Sequence, residues 1–358
     1  MTQGAAFGPM DGVDGVDGVD GVEALDLLSG GARQAAFRPI GVGPEFARRA
    51  GEVDYRGHRW PPRLPGAAWP PAVGALPGAW PIDWPGNWPA TPSPIAPRLA
   101  DFTPDNASLL VLAELVQLPI GSSPPAWTTL LTHNAGNPAL DDMAKDIDAQ
   151  GPGGTGGTVA MELHELRLLA QFRAGAMAEA LAQRSGIIGY FRGVLQFSLA
   201  THPYTYYLAA AALRVGQFLC MHYKGVFNRP RPSRIDPSLM PPIDHPGHLA
   251  YPSGHSLESF LIAHCLEQVV PAALGTGLTP SPFVILAQRI AKLREVLGMH
   301  YPSDTEAGRR VARRAFPLLL TCGRINGSGG GTFSVTFDGQ TINLHNDGWL
   351  GRARAEWS

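Results

Sequence analysis

The chain is poor in charge. Asp, Glu, Lys and Arg make up only 16% of its 358 residues and sum to a formal net charge of −2. That excludes the broad positive field needed to hold nucleic acid or an anionic lipid surface, so any positive potential must be local. Cysteine is equally scarce: Cys220, Cys265 and Cys322 are an odd, widely spaced set in apolar stretches. A disulfide framework is excluded, and the three read as buried free thiols of a reducing compartment. The N-terminus lacks a basic region, since the first Lys or Arg is Arg33, and no apolar signal-like segment follows. No run reaches the ~18 uninterrupted apolar residues of a spanning helix. The nearest, Leu109–Leu118 and Tyr206–Leu219, are broken by Glu114 and by Arg214 and Gln217. These absences predict a soluble, cytoplasmic protein with no membrane span.

Glycine (43) and proline (34) are abundant, and 44% of residues are hydrophobic. That pairing suggests a compact body with extensions. Residues 1–36 carry a tandem Asp-Gly-Val repeat from Asp11 to Val22; its spacing does not suit calcium loops and reads as an acidic leader. Residues 37–104 hold Trp60, Trp69, Trp80, Trp84 and Trp88, each directly before a proline. So many large rings next to extended X-Pro backbone predict an arm wrapping the body, with a partner-docking strip as the alternative. From 105 to 325 the pattern turns helical. A helix capped by Asn106 is expected through Leu118, and a long one over Val159–Gln183, where Val159, Leu163, Leu166, Ala170, Ala174, Met177 and Leu181 recur at helical spacing. Further helices are expected near 187–199, 204–223, 255–270, 282–299 and 304–322. In the tail, 326–358, Thr332–Phe337 and Gln340–Leu344 alternate around Asp338-Gly339, the signal of a β-hairpin. The fold class is all-α, a helical bundle with a small C-terminal hairpin.

Three stretches carry chemistry. Lys224-Gly-Val-Phe-Asn-Arg229-Pro-Arg231-Pro232 sets three cations at a helix end, where two prolines stiffen the backbone. The guanidinium fork and the ammonium both suit an oxyanion. Tyr251-Pro-Ser253-Gly254-His255 precedes an apolar periodic run, so Ser253 and Gly254 stand at a helix N-terminus, where backbone N–H groups and the dipole attract anions. His255 is expected at the rim, where it can exchange a proton near neutral pH. Arg294-Glu-Val-Leu-Gly-Met-His300-Tyr301-Pro-Ser-Asp304 joins two helices, with Ser303 and Glu306 as a capping box. There Asp304 can hold one ring nitrogen of His300 and leave the other to attack or to ligate. Taken singly, each stretch also fits a plain role: a solvated basic loop, an ordinary helix cap, a polar turn.

In this order, Lys-x6-Arg-Pro, Pro-Ser-Gly-His and Arg-x5-His-x3-Asp, the three resemble the signature shared by type-2 phosphatidic acid phosphatases, bacterial acid phosphatases and vanadium-dependent haloperoxidases. The resemblance covers 224–304 and implies their helical fold. It also implies roles: Lys224, Arg231 and Arg294 clamp the oxyanion, and Ser253 with the Gly254 N–H lines it. His255 is the acid–base residue, and His300 is the nucleophile or the vanadate ligand, oriented by Asp304. Two departures stand out: Leu293 occupies a position the family often fills with serine, and Arg229 rivals Arg231 as the clamp. His245, His248, Tyr251 and Tyr301, with Arg229, are candidates for the substrate pocket. The favoured expectation is a phosphatase acting on a soluble phosphomonoester or pyrophosphate without a cofactor. A haloperoxidase with vanadate on His300 is the first alternative. A silent binding protein on the same fold is another, and zinc on His245, His248 and His255 is a weaker one, given no nearby cysteine. The expected partner is a small phosphate ester or oxyanion; homo-oligomerisation is left open.

Overall fold

A computed structural model describes residues 102–118, 125–184, 186–270 and 281–358. The acidic leader and all but the last three residues of the Trp/Pro arm lie outside them. The described helices are α1 (Pro104–Leu115), α2 (Asp142–Asp148), α3 (Val159–Leu169), α4 (Arg173–Ala182), α5 (Ile187–Val194), α6 (Pro203–Phe227), α7 (Pro232–Ile235), α8 (Gly254–Val269), α9 (Pro282–Val296), α10 (Pro302–Thr321), α11 (Gly323–Asn326) and α12 (Trp349–Ala355). One antiparallel hairpin, β1 (Thr332–Phe337) and β2 (Gln340–His345), follows α11. The architecture is the all-α one its periodicity predicts.

Helix α8 sits at the centre, against α6, α9 and α10. Every residue from Gly254 to Ala263 is buried, and a helix enclosed on all sides has no polar stripe to show. Two glycines allow its neighbours to come close. A Cβ on Gly216 of α6 would lie 2.9 Å from Glu258 Cγ, and one on Gly308 of α10 would lie 2.6 Å from Ser253 O. The second contact presses the start of α10 against the start of α8. That is where the site forms.

Three differences from the sequence reading have physical causes. Helix α1 starts earlier, because Pro104 suits the first turn and Thr103 Oγ1 accepts from Asn106 N at 3.3 Å. The expected helix over 159–183 is two helices, joined by a 3₁₀ turn at Ala170–Phe172. Leu163 and Leu166 of α3 pack with Leu239, Ala250 and Tyr301, whereas Ala180 of α4 packs with Leu293, Val296, Leu297 and Met299. The 3₁₀ turn divides one apolar stripe between the two clusters. The tail, finally, adds a helix beyond the hairpin. Asp338 (φ 50°) and Gly339 (φ 75°) make the expected hairpin turn, and α12 then buries Trp349, Leu350 and Ala353 against α6. Glu356 accepts from Tyr204 N (2.7 Å) and Thr205 N (2.9 Å), supplying the cap that His202 does not provide for α6.

Candidate active site

Helix α6 ends at Phe227, where Asn228 adopts the left-handed conformation (φ 51°) and closes the last turn onto Lys224 O. Inside that turn, the Lys224 ammonium donates to Leu249 O (2.6 Å) and Ala250 O (3.1 Å), while Ala250 N donates to Arg229 O at 2.9 Å. The 224–231 stretch and the approach to Tyr251 are thereby laced together. The two arginines then part. The Arg229 guanidinium is turned inward: NH1 donates to Ser303 Oγ (2.6 Å) and Asp304 Oδ1 (2.7 Å), and NH2 to Glu162 Oε2 (2.6 Å). Its Cζ stands 3.7 Å above the Tyr301 ring. Arg231 faces the other way, with NH1 on Met299 O (2.7 Å) and on His300 Nε2 (2.9 Å), and NH2 on His248 Nδ1 (3.0 Å). The two differ in their neighbours: Arg229 joins two carboxylates, Arg231 two imidazoles.

Ser253 is the N-cap of α8, and its own N–H donates to Asp304 O at 2.9 Å. That bond ties the Pro-Ser-Gly-His turn to the start of α10. His255, expected at a rim, is fully buried. Its Nε2 meets Gln183 O at 3.2 Å, and a carbonyl only accepts, so Nε2 carries the proton there. Arg294 NH2 donates to Ala180 O, one turn earlier in the same segment. The end of α4 thus presents carbonyls, the negative pole of its dipole, to both the cation and the histidine.

The last stretch is shaped by Gly298 (φ 75°). Gly298 N donates to Glu295 O (2.8 Å) and Met299 N to Arg294 O (3.0 Å), the paired bonds of a Schellman ending that only a left-handed residue permits. The chain reverses and delivers His300 two residues later. The cap of α10 differs from the expected Ser303–Glu306 box. Tyr301 is the N-cap and Asp304 the reciprocating residue, with Tyr301 N donating to Asp304 Oδ2 at 3.0 Å. The reason is competition: Ser303 Oγ is drawn to Glu162 Oε1 (2.5 Å), and Glu306 pairs with Arg309. Leu293, the departure from the family pattern, packs into the core at α4.

Asp304 Oδ2 also meets His300 Nδ1 at 3.1 Å. Burial alone would raise this carboxyl, but Arg229, the His300 contact and the Tyr301 N–H together hold it at about 2. An ionised carboxylate only accepts, so Nδ1 carries the hydrogen, and Nε2 presents its lone pair toward Arg231. A neutral imidazole can attack or ligate through Nε2 once the Arg231 N–H that donates to it turns to an incoming oxyanion.

The remaining candidates fall outside this line. Tyr251 OH donates to Asp146 Oδ2 at 2.6 Å, toward α2, and the Tyr301 ring lies under Arg229. Burial pushes both phenols well above their ordinary range. His245 bonds Ser233 Oγ, His248 bonds Arg231 and His255 bonds Gln183 O. The three imidazoles considered for zinc therefore have separate partners, and among the described residues no group of three or more His, Cys, Asp or Glu is set to hold a metal.

Sequence reasoning missed Glu162 and the carbonyls at the end of α4. Glu162 was legible in principle: it falls three residues after Val159 and four before Leu166, in phase with the buried stripe of α3. It is 1% exposed. Burial pushes its carboxyl up, against the pull of Arg229 and of the Ser303 hydroxyl and N–H. The carbonyls at the end of α4 carry no residue-type signal at all.

The chain is similar in sequence to known proteins over the segment that carries these motifs. The sequence profile of the PAP2 superfamily matches residues 203–326, which run from the first residue of α6 to the last of α11. A decaprenylphosphoryl-5-phosphoribose phosphatase from Mycobacterium tuberculosis is 29% identical over 149 residues, covering 37% of this chain and 78% of that protein. The protein of the same name from Mycolicibacterium smegmatis is 30% identical over 149 residues, covering 37% and 77%.

Proposed function

Since the chain belongs to the PAP2 superfamily, we propose that it is a phosphatase working through a phosphohistidine on His300. The observation that carries this reading is the His300 ring, with Nδ1 on the ionised Asp304 and Nε2 facing the Arg231 guanidinium. The Nε2 lone pair attacks phosphorus and the bond to the leaving oxygen breaks, that oxygen taking a proton from His255. Water then attacks phosphorus and gives a proton to His255 as the P–N bond breaks, restoring Nε2 and releasing inorganic phosphate. Arg231, with Lys224 and Arg294, stabilises charge on the equatorial oxygens, where most of the rate enhancement of phosphoryl transfer arises. Ser253 and the Gly254 N–H complete the wall at the α8 N-terminus. Asp304 balances the positive charge that the phosphorylated ring carries.

The proposed substrate is a phosphomonoester or pyrophosphate. The mycobacterial relatives carry in their name a phosphorylated ribose on a decaprenyl phosphoryl group. No described helix of this chain is long and apolar enough to cross a membrane, which supports a water-soluble ester here. Cys220, Cys265 and Cys322 are buried free thiols, and this supports a reducing, cytoplasmic setting. The cradle would also hold vanadate, with His300 Nε2 as its ligand.

The test is hydrolysis of p-nitrophenyl phosphate and of pyrophosphate by the purified chain and by His300→Ala. Turnover that vanishes in the variant, with phosphate trapped on His300 in an acid quench, is expected. Bromination that requires orthovanadate and peroxide, without ester hydrolysis, would overturn the reading in favour of a haloperoxidase. Full turnover by His300→Ala would remove the nucleophile assignment.

A further inference from the structure

Glu162 lies outside the three oxyanion motifs and outside the 203–326 segment that matches the family, yet three donors converge on its carboxylate. Ser303 N and Oγ donate to Oε1 at 2.8 and 2.5 Å, and Arg229 NH2 donates to Oε2 at 2.6 Å. The other terminal nitrogen of Arg229 reaches Asp304 Oδ1 at 2.7 Å, and Asp304 Oδ2 meets His300 Nδ1 at 3.1 Å. A continuous line of buried contacts therefore runs from α3 through Arg229 and Asp304 to the imidazole. Ser303 is a second tie, accepting from Arg229 NH1 at 2.6 Å while donating to Glu162.

We infer that Glu162 is a positioning residue for His300, holding Arg229 and Ser303 so that Asp304 keeps one oxygen on the Nδ1–H of the imidazole. Two effects combine. The first is geometric: Asp304 has two oxygens and three donors, so it serves His300 only while Arg229 stays on Oδ1. A guanidinium anchored at its far end by Glu162 cannot swing toward Oδ2. The second is electrostatic. Glu162 and Asp304 flank one guanidinium, so Glu162 offsets part of the Arg229 charge and Asp304 is left more negative toward a ring that becomes cationic when phosphorylated. With Glu162 neutral, Arg229 offsets Asp304 alone and the ring loses that support. Partners that orient a functional histidine through its second nitrogen act in this way.

This inference rests on the phosphatase reading for its kinetic arm only, and a spectroscopic arm stands apart from it. Glu162→Gln keeps an acceptor for Ser303 and presents an amide to Arg229. In protein labelled with ¹⁵N-histidine, the His300 Nδ1–H gives a low-field proton signal identified by its absence in His300→Ala. That signal is expected to move upfield or broaden away in Glu162→Gln. In the turnover assay, kcat should fall about 10-fold or more with KM changed less than about twofold, as expected for a nucleophile out of line and a binding cradle left alone. In an Asp304→Asn background the Glu162→Gln change should add nothing. An unchanged Nδ1–H signal with unchanged kcat overturns the inference, whatever happens to the melting temperature, and leaves Glu162 as a tie between α3 and the body. If Glu162→Gln does not fold, Glu162→Asp carries the same measurements: the retracted carboxylate should weaken the signal and kcat together, and wild-type values for both overturn the proposal. A wild-type chain that hydrolyses no phosphate ester sinks the phosphatase reading, and the proton signal still decides the role of Glu162.

Discussion

Replacing Asp304 with asparagine puts a sharp demand on the site, because the carboxylate accepts from three buried donors at once. His300 Nδ1 and Tyr301 N share Oδ2 at 3.1 and 3.0 Å, and Arg229 NH1 takes Oδ1 at 2.7 Å. An amide has one oxygen. Turned to His300, it faces its NH₂ toward a guanidinium; turned to Arg229, it sets two donors against Nδ1 and forces the other tautomer, which removes the lone pair from Nε2. Either choice breaks one arm of a buried charged network, an event that destabilises by about 3–5 kcal/mol. Part of that figure follows from titration. The folded chain holds the Asp304 carboxyl at about 2, roughly two pH units below an ordinary aspartate, which corresponds to about 2–3 kcal/mol. Since the folded value lies below the unfolded one, this contribution is whole above about pH 4 and is lost as the pH falls toward 2, with about 1 kcal/mol gone by pH 3. Urea unfolding of wild type and Asp304→Asn, followed by tryptophan fluorescence, should show the full gap at pH 7 and a gap narrower by about 1 kcal/mol at pH 3. Activity of the folded variant should fall at least about 10²-fold in kcat/KM, since the tautomer is no longer held. A gap under about 1 kcal/mol at both pH values, with near-normal turnover, would refute the network as drawn.

Other expectations follow from single contacts. Gly308→Ala would bring a Cβ to 2.6 Å from Ser253 O and 2.9 Å from Leu257 N. Both are backbone atoms, so α10 must shift; stability should drop about 1–3 kcal/mol and turnover should fall with it, and wild-type values for both would contradict the close contact. Glu356→Ala removes the acceptor for Tyr204 N, Thr205 N and Thr205 Oγ1. Loss of this cap should lower stability by about 1–2 kcal/mol while kcat per folded molecule stays put; an unchanged melting temperature would show that α12 does not cap α6. Lys224→Ala and Arg294→Ala should each lower kcat by about 10²-fold if the two cations act on developing charge, and rates within threefold of wild type would take them out of the clamp.

Much of the site was legible because it is local. The prolines after Lys224 stop one helix and Ser253 caps another, so the three motifs could be set near helix ends without knowing how the helices pack. The double Arg-Pro run was not decidable that way. Arg229 and Arg231 have the same chemistry and stand two residues apart, and only their neighbours in space, two carboxylates for one and two imidazoles for the other, tell them apart. The Ser303–Glu306 box failed for a related reason: capping rules weigh a serine against its own helix, whereas a buried carboxylate from α3 binds it more strongly.

The sequence by itself determined the helical class, the hairpin turn at Asp338-Gly339, the N-cap at Ser253 and the residue types of the three motifs. All of these depend on spacing along the chain and on local backbone preference. Tertiary structure alone decided which arginine faces His300, that His255 is enclosed, that Glu162 stands behind Asp304, and that α12 caps α6. Those outcomes depend on which groups from distant segments compete for the same donor or acceptor once water is excluded. No local pattern records that competition.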